Sequence, residues 1–485
     1  MKIRFDFVCA LASVLPALAG IEPETYPEVR LETPYRLEVV ASNLRVPWSL
    51  AFVPDGRLLI TERQGRVRIV AGGVLLDEPA LEMTVPIRST NGFLGMAVHP
   101  RFEHNRYIYL ALNERHGDGP KLKVVRYREQ GNRLHDPEVI LDDLPAWWNH
   151  TGCRLLFGPD GKLYVTVGDA NEPELTQRLD LLNGKILRVN DDGSIPDDNP
   201  FIGHKGVRPE IYSYGHRNSQ GIDFHPISNV LWSTEHGPGF LDEFNRILPG
   251  ANYGWSVIEG LEEREGMESP EISMLDRPAM APSGMAFYRH TAFPELRNKA
   301  LLAVMQSQGL MTVTIDEGHV TKAEMLFARK FGRIRDVAVA SDGSIYFCTS
   351  MYGSRGLRIM PPPENYDMVV RLVPASFPQG PHPVLSNDFA IDSPEDAARI
   401  AASKSDKTAE DLVALHCESC HGEGLAGGLQ SSLIDGKWTM AYDEGSRYFL
   451  IANGLPNKSM PPYAHELTPE QIHGVMNYLK QREPK

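Results

Sequence analysis

The chain has 485 residues, and its 63 acidic against 49 basic side chains give a formal net charge of −14 at neutral pH. No basic stripe exists to meet phosphates, which excludes nucleic acid as a partner. The length suits one large domain followed by one small one.

At the start, Met1-Lys2-Ile3-Arg4 is basic, Phe7 to Ala19 is apolar, and Ala17-Leu18-Ala19 supplies a small-residue cleavage pattern before Gly20. Residues 1–19 are read as a signal peptide, and the mature protein as periplasmic if the source is a Gram-negative bacterium. Asp6 at the edge of the apolar run keeps a buried strand or an uncleaved anchor as alternatives. No later stretch is long and apolar enough to span a membrane.

A repeat follows. Gly56 to Thr61 recurs as Arg106 to Ala111, Gly161 to Thr166, Asn229 to Thr234, Lys299 to Val304 and Gly343 to Cys348. Each is a short β-rich run after a turn, several of them Pro-Asp-Gly or Ser-Asp-Gly. Second strands follow at Val67 to Val70, Val124 to Tyr127, Ile186 to Val189 and Gly356 to Met360. Six such units predict a mainly β protein with a six-bladed β-propeller over 35–360, closed by an N-terminal strand around Tyr35 to Ala41. A pair of β-sandwiches is the competing fold.

Five loops carry the polar residues. They are Trp148-Asn149-His150-Thr151-Gly152, Tyr214-Gly215-His216-Arg217-Asn218, and Glu235-His236-Gly237-Pro238 with Asp242-Glu243. Gly250-Ala251-Asn252-Tyr253-Gly254-Trp255 and Arg333-Ile334-Arg335-Asp336 complete the set. In this order, over roughly Tyr35 to Met360, the chain resembles the soluble quinoprotein glucose/sorbosone and aldose sugar dehydrogenases. The resemblance implies catalysis by His150, as general base on the anomeric hydroxyl, and by Arg217, which stabilises negative charge on the cofactor, pyrroloquinoline quinone. It implies cofactor binding by Asn218, Arg333 and Arg335, the two arginines sharing one face of a strand. It also implies a Ca2+ ion held by the backbone of Gly237 and Pro238, and a second at Asp242, Glu243 and Tyr253, hard oxygen ligands suited to calcium. Three positions depart from the family pattern. Ser307 stands where a lysine is usual, Thr90 where an amide is usual, and Asn149 where some members have aspartate. Without the resemblance, each of these residues also has an ordinary structural role open to it, and Trp147-Trp148 suits either a sugar site or core packing.

Residues 361–407 are rich in proline and polar side chains and read as a semi-extended tether, although Val369 to Val373 has the composition of a further strand. Beyond lies Cys417-Glu418-Ser419-Cys420-His421, the spacing for a haem c held by thioethers to Cys417 and Cys420 and ligated by His421. Met460, 39 residues on in Ser459-Met460-Pro461-Pro462, is the candidate second axial ligand, with Met440 and His465 as rivals. A zinc or thiol-redox centre is the other reading of the motif. Helices are expected from Thr408 to His416 and from Thr468 to Gln481. The segment 408–485 resembles a class I cytochrome c domain. Cys153 and Cys348 remain, read as two buried thiols with a disulfide left open.

The sequence therefore predicts a dehydrogenase of a sugar or related aldehyde that passes electrons through its own haem to an external acceptor. That acceptor would be a soluble cytochrome, a copper protein or a respiratory-chain component. The alternative is a non-catalytic binding propeller tethered to an electron-shuttling cytochrome.

Overall fold

The computed structural model describes residues 26–87, 90–117, 119–239, 241–274, 280–350, 367–385, 408–418 and 469–482, with the single residues 425, 433 and 451. The signal peptide, Gly356 to Met360, Cys420, His421, Met440, Met460 and His465 lie outside the described residues.

Six antiparallel sheets form a closed ring. Blade 1 runs from its innermost strand Pro47–Phe52 through Leu58–Glu62 and Arg66–Ala71 to short edge strands. Blades 2 to 5 repeat this meander from innermost strands Phe93–Val98, Gly152–Phe157, Ser219–Phe224 and Pro282–Phe287. Blade 6 begins with Ile334–Val339 and Ile345–Thr349. Innermost strands touch in chain order and the sixth touches the first.

The hairpin between first and second strands explains the repeat. In blades 1, 3 and 6 a glycine at φ of +87°, +73° and +84° (Gly56, Gly161, Gly343) makes the reversal that a side chain would strain. The preceding aspartate closes the same turn. Asp55, Asp160 and Asp342 each accept from the backbone N–H two residues on, at 3.2, 3.0 and 2.8 Å. The strands that follow, Leu58–Glu62, Leu163–Val167, Leu231–Glu235 and Ala300–Val304, are buried along their whole length because neighbouring blades cover both faces.

The ring closes as expected and ends later than expected. Tyr35–Ala41 is the outer strand of blade 6, paired with Val369–Pro374, which in turn pairs with Ile345–Thr349. The strand Val369–Pro374 thus belongs to the propeller and not to a tether starting at 361, and the packing continues to Leu385, whose N–H donates to Leu37 O at 2.8 Å. The triple proline at 361–363 disguised this return, since proline cannot donate to a ladder.

Across the centre of the ring, Arg154 of blade 3 meets Asp336 of blade 6 at 2.9 Å, both buried. Asp336 also accepts from Leu50 N of blade 1 at 2.8 Å, and Arg154 donates to Gln220 O of blade 4 at 3.0 Å. A Cβ at Gly284 of blade 5 would lie 1.7 Å from Asp336 Oδ1, so only glycine leaves room for the pair. Cys153 and Cys348 are buried free thiols, and burial pushes both thiols up in pKa.

In the C-terminal region, helices Ala409–His416 and Pro469–Lys480 lie within a residue or so of their expected bounds. Thr408 caps the first: its Oγ1 accepts from Asp411 N at 3.2 Å, and Asp411 Oδ2 accepts from Thr408 N at 3.0 Å. Leu412 and Val413 pack on Ile472, Val475, Met476 and Leu479, with Cys417 at the edge of that cluster.

Candidate active site

Four of the strings singled out from sequence lie near the start of the innermost strands of blades 3, 4 and 6, and the fifth, Gly250 to Trp255, runs parallel to the outer strand of blade 3 and brings Trp255 to Gly215. His150 stands two residues before the blade 3 inner strand, at φ +50°. A Cβ at Gly168 would fall 1.8 Å from His150 O, so the two loops approach only because residue 168 is glycine. His150 Nδ1–H donates to Asp169 Oδ1 at 2.9 Å. This bond sets the tautomer, leaving the lone pair on Nε2, the atom that would take a proton.

Asp169, which the sequence did not single out, completes the pair with His150. It is 1% exposed, and its carboxylate accepts three donors: His150, Asn171 N at 2.7 Å on Oδ1, and Trp255 Nε1 at 2.9 Å on Oδ2. Burial alone would raise its pKa, but the His150 hydrogen bond, the charges of His150 and Arg217 and the Asn171 N–H outweigh it and hold it below the ordinary carboxylate range. The available signal was a lone Gly-Asp pair ending a strand, which is common in any β protein.

Arg217 lies just before the blade 4 inner strand. Its Nη1 donates to His236 O at 2.9 Å, its backbone N–H donates to Glu235 Oε1, and its guanidinium lies 5.3 Å from the Trp255 ring centroid. Burial draws its pKa down, against the charges of Asp169 and Asp242. Asn218 Oδ1 accepts from Gly152 N at 3.1 Å and Gln220 Nε2 at 3.0 Å, which ties blade 4 to the start of blade 3. His236, a second residue not singled out for the site, donates from Nε2 to Pro282 O at 2.7 Å. Its pKa is pushed down to about 3 by burial and by Arg217 and Arg335, so it is neutral.

Arg335 is 1% exposed and stacks over Trp48 with 4.2 Å to the ring centroid. Its pKa is driven well down by burial and by the charges of Arg333 and Arg63. Arg335 Nε and Nη2 and Arg217 Nε are buried without a hydrogen-bond partner among the described residues. Arg333 leans on Met305, with Nη1 to its carbonyl at 3.5 Å. Buried donors of like charge without acceptors are costly unless a polyanion enters. Pyrroloquinoline quinone, with its carboxylates, is such a group, and the residues present fit it. Ser307 lies in the turn after Met305, and Thr90 anchors the His150 loop by donating from N and Oγ1 to Trp148 O at 3.0 and 3.2 Å.

The carboxylates stand on the next strand. Gly237 N donates to Asp242 Oδ1 at 3.1 Å, and a Cβ at 237 would lie 1.7 Å from Leu241 O, so the turn that presents the Gly237 and Pro238 carbonyls requires glycine. Asp242 is pushed up to about 7 by burial, and Glu243 to about 8 by burial and the charge of Glu235. A dication beside them would relieve that burial, which fits calcium. Among the described residues no three His, Cys, Asp or Glu side chains converge, so backbone carbonyls would have to complete any such site. The Tyr253 hydroxyl is already engaged, so any part Tyr253 plays in the expected calcium set falls to its backbone carbonyl. The hydroxyl donates to Arg246 O at 2.6 Å and accepts from Leu248 N at 2.8 Å, and the ring stacks on His216 at 4.6 Å.

Residues 44–358 match the family model described as glucose/sorbosone dehydrogenase. The chain belongs to that family. Residues 405–479 match the model for cytochrome c oxidase, cbb3-type, subunit III, so this member of the family carries a C-terminal cytochrome c domain, which implies haem. The aldose sugar dehydrogenase YliI of Escherichia coli K12 is 34% identical over 345 residues, covering 67% of this chain and 92% of the relative. The quinoprotein glucose dehydrogenase B of Acinetobacter calcoaceticus is 35% identical over 277 residues, covering 51% and 57%. The pyrroloquinoline quinone-bound aldose sugar dehydrogenase of Streptomyces coelicolor superposes with a TM-score of 0.60 at 27% identity, covering 71% of this chain and 99% of that structure. Among the described residues no helix is long and apolar enough to cross a membrane.

Proposed function

We propose that this family member is an exported aldose dehydrogenase that uses pyrroloquinoline quinone and calcium and delivers electrons to its own haem c. The observation that carries the reading is the set of unpartnered buried guanidinium donors on Arg335 and Arg217 beside a His150–Asp169 pair. The named relatives support it. When bound, pyrroloquinoline quinone would supply the hydride acceptor for the anomeric carbon. His150 takes the hydroxyl proton at Nε2, and the Asp169 carboxylate stabilises the imidazolium that results. Arg217 supplies positive charge where negative charge develops. Arg333, Arg335 and Asn218 hold and orient the cofactor. The Gly237 and Pro238 carbonyls, with Asp242 and Glu243 on the following strand, are the calcium-facing groups. Cys417, Cys420, His421 and Met460 would hold the haem, which would supply a one-electron relay toward an external protein acceptor.

The test is purified protein with its haem, supplied with Ca2+ and pyrroloquinoline quinone and challenged with an aldose panel while haem absorbance is followed. At least one aldose reduces the haem, and His150→Ala abolishes this. Failure of every aldose, with His150→Ala indistinguishable from the parent, would mean a binding propeller instead.

A further inference from the structure

Trp255 touches both halves of the proposed catalytic apparatus. Its indole Nε1–H donates to Asp169 Oδ2 at 2.9 Å, and its ring face lies 5.3 Å from the Arg217 guanidinium. The backbone of Trp255 is held on both sides. Its N–H donates to Gly215 O at 3.0 Å, two residues before Arg217. Its carbonyl accepts from Gln177 Nε2 at 2.7 Å and from Thr176 Oγ1, on the loop that follows Asp169. One residue thus links the loop that carries the base pair in blade 3 to the loop that carries the arginine ahead of blade 4.

We propose that Trp255 is a positioning residue that couples these two elements, its N–H fixing and tempering the Asp169 carboxylate behind His150 while its ring seats Arg217. The proposal rests on the reading of His150 as the base. A carboxylate oxygen that accepts a hydrogen bond presents less negative charge to its other partners. With the indole N–H removed, Asp169 would stabilise the protonated form of His150 more strongly, and the histidine would surrender its proton only at higher pH. The charged and titratable groups around the pair are Arg217, His236 and, on the Asp169 loop itself, Glu172, whose Oε2 accepts from Asn183 Nδ2 at 3.2 Å. None of these accepts from Trp255 Nε1, so substitution there leaves their own hydrogen bonds in place.

Trp255→Phe separates the two roles, since it keeps an aromatic ring beside Arg217 and removes the N–H with the pyrrole half of the indole. The experiment follows the imidazole resonances of His150 against pH by NMR in the propeller-intact full chain without added quinone, for the parent and for Trp255→Phe, with His150→Ala identifying the signal. The His150 titration moves to higher pH in Trp255→Phe, and in the reconstituted protein the acid limb of kcat/KM moves the same way. Activity on the acid side falls about tenfold and recovers at alkaline pH. Trp255→Ala, which also unseats Arg217, stays depressed at every pH. An unmoved or downward His150 titration in a Trp255→Phe variant with the parent's circular dichroism overturns the proposal. If the titration moves as stated and no sugar is oxidised, the coupling stands and the proposed function falls.

Discussion

Asp169→Asn tests the base most sharply. The carboxylate accepts the His150 Nδ1–H at 2.9 Å in a site where Asp169 is 1% exposed, so little water can substitute for it. A hydrogen bond to a charged group contributes about 1.5–3 kcal/mol, or about 10- to 150-fold in rate if it is lost mainly in the transition state. An amide can also turn its NH2 toward Nδ1. The ring proton would then move to Nε2 and the base would be lost outright, which deepens the defect beyond that range. Quinone binding should be unchanged, because Asp169 holds His150, Trp255 and Asn171 and not the guanidinium donors of Arg335. The assay is steady-state kcat/KM for an aldose together with a separate quinone titration by absorbance. A rate within threefold of the parent, at unchanged quinone affinity, refutes the role assigned to the pair.

Arg335→Gln removes a buried cation whose Nε and Nη2 are unpartnered, and quinone affinity should fall at least about tenfold in equilibrium titration while the propeller stays folded. Asp336→Asn leaves Arg154 charged and unpaired in the ring centre, a loss of about 3–5 kcal/mol. For a propeller of about 350 residues unfolding with roughly 0.7 kcal/mol/K of entropy, that is about 4–7 °C in Tm by calorimetry. Lys185 is fully buried, donates to Thr176 O at 2.7 Å and Asn183 O at 2.6 Å, and burial pushes its ammonium down to about 7. Because an unfolded lysine titrates near 10.4, the folded state binds fewer protons between those values, so stability rises with pH across that window. Lys185→Met should lose this rise, measured as the Tm difference from the parent at pH 6, 8 and 9.5.

The ring was legible because its signal is local. An aspartate directly followed by a glycine closes the same hairpin in blades 1, 3 and 6, and a strand follows each time. The third strand of blade 6 was legible only as an alternative, because Val369–Pro374 has a strand's composition but follows a proline run that resembles a tether. At the site, His150 and Arg217 in loops and Arg335 near the start of a strand all sit in unusual residue strings. Asp169, Trp255 and His236 act through partners up to 86 residues away, as with Trp255 and Asp169, and no single-sequence pattern marks such pairs. For Tyr253 the loop string named the residue but not the atom, since the turn that occupies its hydroxyl is set by Arg246 O and Leu248 N.

The central claim is that the propeller oxidises a sugar and feeds the haem of the same chain. Rapid mixing of the quinone- and calcium-loaded protein with an aldose, with haem absorbance recorded over a range of protein concentrations, tests this directly. The account predicts haem reduction at a first-order rate independent of protein concentration, lost in His150→Ala. A rate that scales with protein concentration, or a haem that stays oxidised while the sugar is consumed, would contradict it.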